Sequence, residues 1–143
     1  MSFVRPLALL VLMALLGACS DGFDPYREDP QTGRWFTPEQ VAEGAELFAQ
    51  HCAQCHGARA EATPEWIRPD AEGLYPPPPL NGTAHAWHHP YPVLYKTIME
   101  GSRGRMPAWR GILDDGQVAA VIAWFQSLWP EEGYRIWQGR HDR

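Results

Sequence analysis

Cys52-Ala53-Gln54-Cys55-His56 constrains this chain more than any other stretch. Two thiols separated by two residues can add to the two vinyl groups of one haem. The histidine directly after them falls where its imidazole reaches the iron from one face. A bare C-x-x-C also serves zinc sites and thioredoxin-like dithiols. Structural zinc usually takes four Cys/His ligands, and the one other cysteine, Cys19, belongs to a different signal. The motif reads as the covalent attachment site of one haem c, with a dithiol redox pair as the alternative.

The N-terminus agrees with that reading. Arg5 supplies a positive start, and Leu7 to Leu16 form an apolar run too short to span a bilayer. The run ends in Leu16-Gly17-Ala18-Cys19, which resembles the bacterial lipoprotein lipobox. The resemblance implies a signal peptide over residues 1–18, cleavage before Cys19 and lipidation of that cysteine. An ordinary secretory signal cut near Ala18 is the alternative. Either version delivers the chain outside the cytoplasm, to a bacterial periplasm, and the lipid is expected to be its membrane anchor.

Without Arg5 the chain carries 11 basic against 17 acidic residues, a formal charge of −6. That balance argues against a nucleic-acid binder. Residues 19–36 mix Asp, Pro and Gly without an apolar period and read as a lipidated flexible tether, with a mean reach of about 20–25 Å. Packing of its last aromatics, Trp35 or Phe36, onto the domain is the alternative.

The folded domain is expected over 37–130. Thr37-Pro38-Glu39-Gln40 is a helix start, with an N-cap Thr, Pro at the first helical position and Gln at the third. Val41, Ala45, Phe48 and Cys52 follow on one face and run into the haem motif. Gly57 to Pro79 reads as loop, since the four prolines 76–79 exclude helix and central strand. A short helix is predicted from about Pro92 to Glu100, stopped by Gly101. The last strong helix has Asp114 as cap, Gln117 at the third helical position and a Leu113–Val118 staple. Val118, Val121, Ile122, Phe125, Leu128 and Trp129 repeat at three- and four-residue steps until Pro130. The tail, 131–143, is expected to add a turn or two. No repeats and no strands emerge, so the fold class is all-α.

Met106 is the leading candidate for the iron's second ligand. It sits in Gly104-Arg105-Met106-Pro107, a loop between two helices, and a neutral thioether favours the reduced iron. Met99, inside the short helix, reads as a packing residue.

With these residues in hand the chain resembles a class I (mitochondrial-type) monohaem cytochrome c, over about 37–130. The likeness rests on Gly44 and Phe48 ahead of the attachment motif, on Pro78-Pro79-Leu80-Asn81-Gly82 and on Met106-Pro107. It rests also on an aromatic of the last helix, Trp124, expected to pack on the first. It implies the cytochrome c fold, three to four helices around one covalently attached haem. Cys52 and Cys55 would hold the haem, with His56 and Met106 as axial ligands. The Pro78 carbonyl would accept the Nδ1 proton of His56 while Leu80 presses on the ring. The implied function is one-electron transfer, not catalysis. The alternatives are a haem-bearing electron-entry subunit of an oxidase, reductase or dehydrogenase complex, or a metal-handling or ligand-sensing protein.

That last alternative comes from His85-Ala86-Trp87-His88-His89, whose imidazoles could hold copper or supply the iron's second ligand in place of Met106. A solvated loop, or one histidine on a haem propionate, is the reading favoured. Arg103, Arg105 and Arg110, with no acid between Gly101 and Leu113, predict a basic patch that docks redox partners with acidic faces. Neutralisation of haem propionates is the competing use.

Overall fold

A computed structural model describes residues 24, 25, 27–30, 32–102 and 105–141. Cys19 and the signal-like segment lie outside the described residues, as do Arg103 and Gly104. Among the described residues five helices carry the fold: α1 (Pro38–His51), α2 (Ala53–His56), α3 (Tyr91–Glu100), α4 (Asp115–Ser127) and α5 (Glu131–His141). A single 3₁₀ turn, Ala86–His88, interrupts the long loop between α2 and α3. Among the described residues the architecture is all-α, as the sequence predicts.

The capping chemistry sets where the two principal helices begin. Thr37 accepts from the Gln40 amide while the Gln40 side chain accepts from the Thr37 amide, and Asp114 and Gln117 repeat the arrangement on α4. Each cap satisfies amides that would otherwise lack an intrahelical partner. α4 is buried nearly all round: Val118, Ala119, Ala120, Val121, Ile122 and Ala123 all lie in the interior. α1 crosses it at Gly44, where an added Cβ would stand 1.9 Å from the Ala120 carbonyl oxygen. On one side of this crossing Trp124 meets Phe48, ring centroids 4.2 Å apart.

The core reaches beyond 37–130 at both ends. Trp35 and Phe36, placed at the end of the expected tether, are buried. The Trp35 indole donates to Gln126 Oε1 (2.7 Å), and its amide donates to the Tyr134 hydroxyl (3.2 Å). The tail is an 11-residue helix, not a turn or two. Tyr134 and Trp137, three residues apart on one face, are fully enclosed, and that burial stabilises a helix whose other positions are mostly polar. Arg34 lies 3.7 Å over the Tyr134 ring and bonds Glu131 at 2.5 Å, closing the seam between the two ends. Among the described residues no helix is long and apolar enough to cross a membrane.

Candidate haem site

The attachment motif continues α1 almost without a break. The Cys52 amide donates to the Phe48 carbonyl (2.8 Å), and the His56 amide donates to the Cys52 carbonyl (2.9 Å). Helical spacing of positions 52, 55 and 56 puts the two thiols and the imidazole on one turn. Cys52 is half-buried and Cys55 exposed. Burial, and secondarily the neighbouring Cys55, pushes the Cys52 thiol up to about 11. A dithiol oxidoreductase needs the opposite, a thiolate stabilised near neutrality. The site suits thiols consumed in thioether bonds.

His56 is buried, and its Nδ1 lies 3.0 Å from the Pro78 carbonyl oxygen. A carbonyl only accepts, so Nδ1 carries the proton and the lone pair of the neutral ring sits on Nε2. Burial lowers the pKa of His56, with the Pro78 bond acting against it, so the ring is held neutral and ready to ligate. A carbonyl partner on the far nitrogen fixes the ring plane and strengthens the imidazole as a donor.

The segment from Pro78 to Asn81 is itself braced. Ala60, buried and in the left-handed region at φ +55°, turns its carbonyl to the amides of Leu80 (2.8 Å) and Asn81 (3.3 Å). The Leu80 carbonyl in turn accepts from the Trp129 indole at 2.7 Å. Leu80 packs half-buried against the core. Neither brace is legible in the sequence around the motif. Trp129 is visible only as a core position of α4's period, and nothing in the sequence marks Ala60.

Met106 also packs, partly buried, against the core. Its loop turns back on α3: the Ser102 amide donates to the Met106 carbonyl (3.2 Å), and the amides of Trp109 and Arg110 donate to the carbonyls of Ile98 and Met99 (both 3.1 Å). Gly101, at φ +75°, permits the reversal, since a Cβ there would meet the Met106 carbonyl oxygen at 2.6 Å. Trp109, three residues past Met106, makes an edge contact with His51 at 5.1 Å between centroids. His51 directly precedes Cys52, so this contact seats the methionine loop beside the attachment motif. Met99 is buried in the core.

Two further expectations meet the fold differently. Two arginines of the Met106 loop have acids beside them: Arg105 bonds Asp70, and Arg110 lies 3.6 Å from Glu100. These counter-charges lie far off in sequence or just before the loop. His85, His88 and His89 do not converge on a point. His85 meets the rings of Trp66 (5.6 Å) and His89 (5.7 Å), while His88 packs on Trp87 (4.0 Å). Among the described residues no group of three His, Cys, Asp or Glu side chains forms a metal site.

Paired thiols, a neutral oriented imidazole and a methionine loop seated alongside together fit a covalently held haem. Comparison with known proteins agrees. The family described as "Cytochrome C oxidase, cbb3-type, subunit III" matches residues 39–125. The chain is similar to the cbb3-type cytochrome c oxidase subunit FixP of Bradyrhizobium sp. (strain ORS 278), 35% identical over 62% of this chain but only 27% of that protein. It is 28% identical to cytochrome c-551 of Bacillus subtilis (strain 168), over 79% of this chain and 84% of that one. It is 34% identical to cytochrome c6 of Tetradesmus obliquus, over 59% and 85%. The chain thus spans about a quarter of the FixP length and most of the length of the two small cytochromes. Cytochrome CL of Methylophaga aminisulfidivorans MPT shares the fold, with a TM-score of 0.50 and 24% identity over 70% of this chain and 61% of that one. The chain belongs to the cbb3-type subunit III family of c-type cytochromes, whose members carry covalently bound haem c, and it has a single attachment motif for one.

Proposed function

We propose that this protein is a one-electron carrier, held outside the cytoplasm by a lipid on Cys19. The observation that carries the reading is the His56–Pro78 bond on the turn that bears both thiols. Bound there, haem c supplies a ferric/ferrous couple. Cys52 and Cys55 would hold it covalently, and His56 through Nε2 and the Met106 thioether would ligate its iron. Pro78 and Leu80 keep the imidazole in one orientation, so little rearrangement accompanies each electron. A soft, neutral sulfur favours the reduced state and sets a high potential.

Met106→Ala is expected to lower the midpoint potential by more than about 59 mV, a tenfold change in the one-electron equilibrium. The weak far-red sulfur–iron band of the ferric protein should vanish, and the ferrous variant should bind carbon monoxide rapidly. An unchanged spectrum and potential would assign the ligand elsewhere.

The similarity to FixP supports a second reading, an electron-entry subunit working within an oxidase complex. Purification from native membranes distinguishes the two, as a free lipoprotein or a stable complex. For a partner with an acidic docking face, the arginines of the Met106 loop are the attracting charges. With Arg105 and Arg110 offset by Asp70 and Glu100, electron-transfer rates are expected to fall only shallowly with salt. A steep fall in a stopped-flow salt series would show that the offset is ineffective.

A further inference from the structure

We propose that Trp129, backed by the C-terminal helix, is a positioning residue for the haem ligand His56. The inference rests on the reading of His56 as that ligand and names a support for it lying beyond residues 39–125, the stretch matched by the family. The loop from Leu80 to His89 leaves the His56 brace at one end and reaches α3 at the other. Two indoles pin its ends. Trp129 Nε1 donates to the Leu80 carbonyl at 2.7 Å, and Trp137 Nε1 donates to the His89 carbonyl at 2.8 Å. The two rings touch edge to face, centroids 6.1 Å apart, and both are buried. Gly82, at φ +88°, lets the chain pass so close that a Cβ there would meet Pro130 at 2.8 Å and Trp129 at 3.1 Å.

Leu80 is therefore held from both of its backbone polar atoms, by Ala60 on the amide and by Trp129 on the carbonyl. Two residues upstream, the Pro78 carbonyl holds His56. Prolines at 78 and 79 have restricted backbone torsions, so a displacement at Leu80 is passed to the Pro78 carbonyl with little loss. Releasing the Leu80 carbonyl loosens the acceptor on His56 Nδ1. The imidazole becomes a poorer donor, and the ferrous state gains relative to the ferric.

The test is Trp129→Phe in the full-length, haem-loaded protein, which keeps an aromatic ring and removes the N–H. Its midpoint potential is expected to rise by about 28 mV, a threefold shift on the scale of about 59 mV per tenfold. Amide exchange at Leu80 and Asn81 should accelerate about fivefold, as for loss of one neutral hydrogen bond. Trp137→Phe should shift the potential the same way by less. Tyr134→Phe serves as the control, since it loosens α5 at the Trp35 amide and leaves both loop carbonyls held. An unchanged potential in Trp129→Phe, or an equal rise in Tyr134→Phe, overturns the positioning role while leaving the haem reading intact. Wild-type protein without covalent haem, matured in a competent host, would overturn both.

Discussion

Gly44→Ala is expected to destabilise the domain by roughly 3 kcal/mol or more, the upper range of overpacking penalties. On propensity alone the change should help, since alanine is favoured over glycine inside a helix by about 1 kcal/mol. Contact overrides propensity here. The new methyl would lie 1.9 Å from the Ala120 carbonyl oxygen, 2.6 Å from its carbon and 2.8 Å from Trp124 Cβ. The first two are backbone atoms of a buried helix and cannot rotate away. α1 must then lift from α4, opening the Phe48–Trp124 contact and tilting the turn that carries Cys52 to His56. Denaturant titration should show a lower midpoint with an unchanged slope. Gly139→Ala on α5, where nothing lies within 4 Å, is the matched comparison and should gain about 0.5–1 kcal/mol. A Gly44→Ala protein as stable as wild type would mean that the helices do not cross this closely.

The second large effect is chemical. Cys52→Ala combined with Cys55→Ala should yield protein from which acidified acetone extracts all colour, with a mass that shows no added haem. Each single variant keeps one thiol and one possible thioether. His56, with its Pro78 bond, is untouched by the change, so residual reversible haem binding is compatible with the double variant. Haem that resists extraction from it would contradict attachment at these two positions.

The local chemistry of this fold was open to reading in the sequence. Thr37 with Gln40, and Asp114 with Gln117, start helices where their side chains say they should, because a capping box involves residues only three apart. The attachment motif is equally local, whereas the Pro78 carbonyl, 22 residues from His56, was expected only through the family resemblance. What the sequence concealed is non-local. Trp35 and Phe36 sit in a stretch rich in Asp, Pro and Gly, and only the distant partners Gln126 and Tyr134 draw them inside. Likewise Asp70, 35 residues before Arg105, pairs with one arginine of a loop that looks basic in one dimension. The histidine cluster was ambiguous for the same reason. His85 meets Trp66 from the preceding loop, His88 meets Trp87 of the cluster itself, and the His89 carbonyl accepts from Trp137 of α5.

The anchoring of Trp35 has a mechanical corollary. Any leash fastened upstream loses its final residues to the globule, so its slack is shorter than its length in sequence suggests. Tension applied along it is borne by the Gln126 and Tyr134 bonds at the corner where α4 meets α5. A pull on the residues before Trp35 would therefore load the α4–α5 corner before it reached the turn of Cys52 to His56.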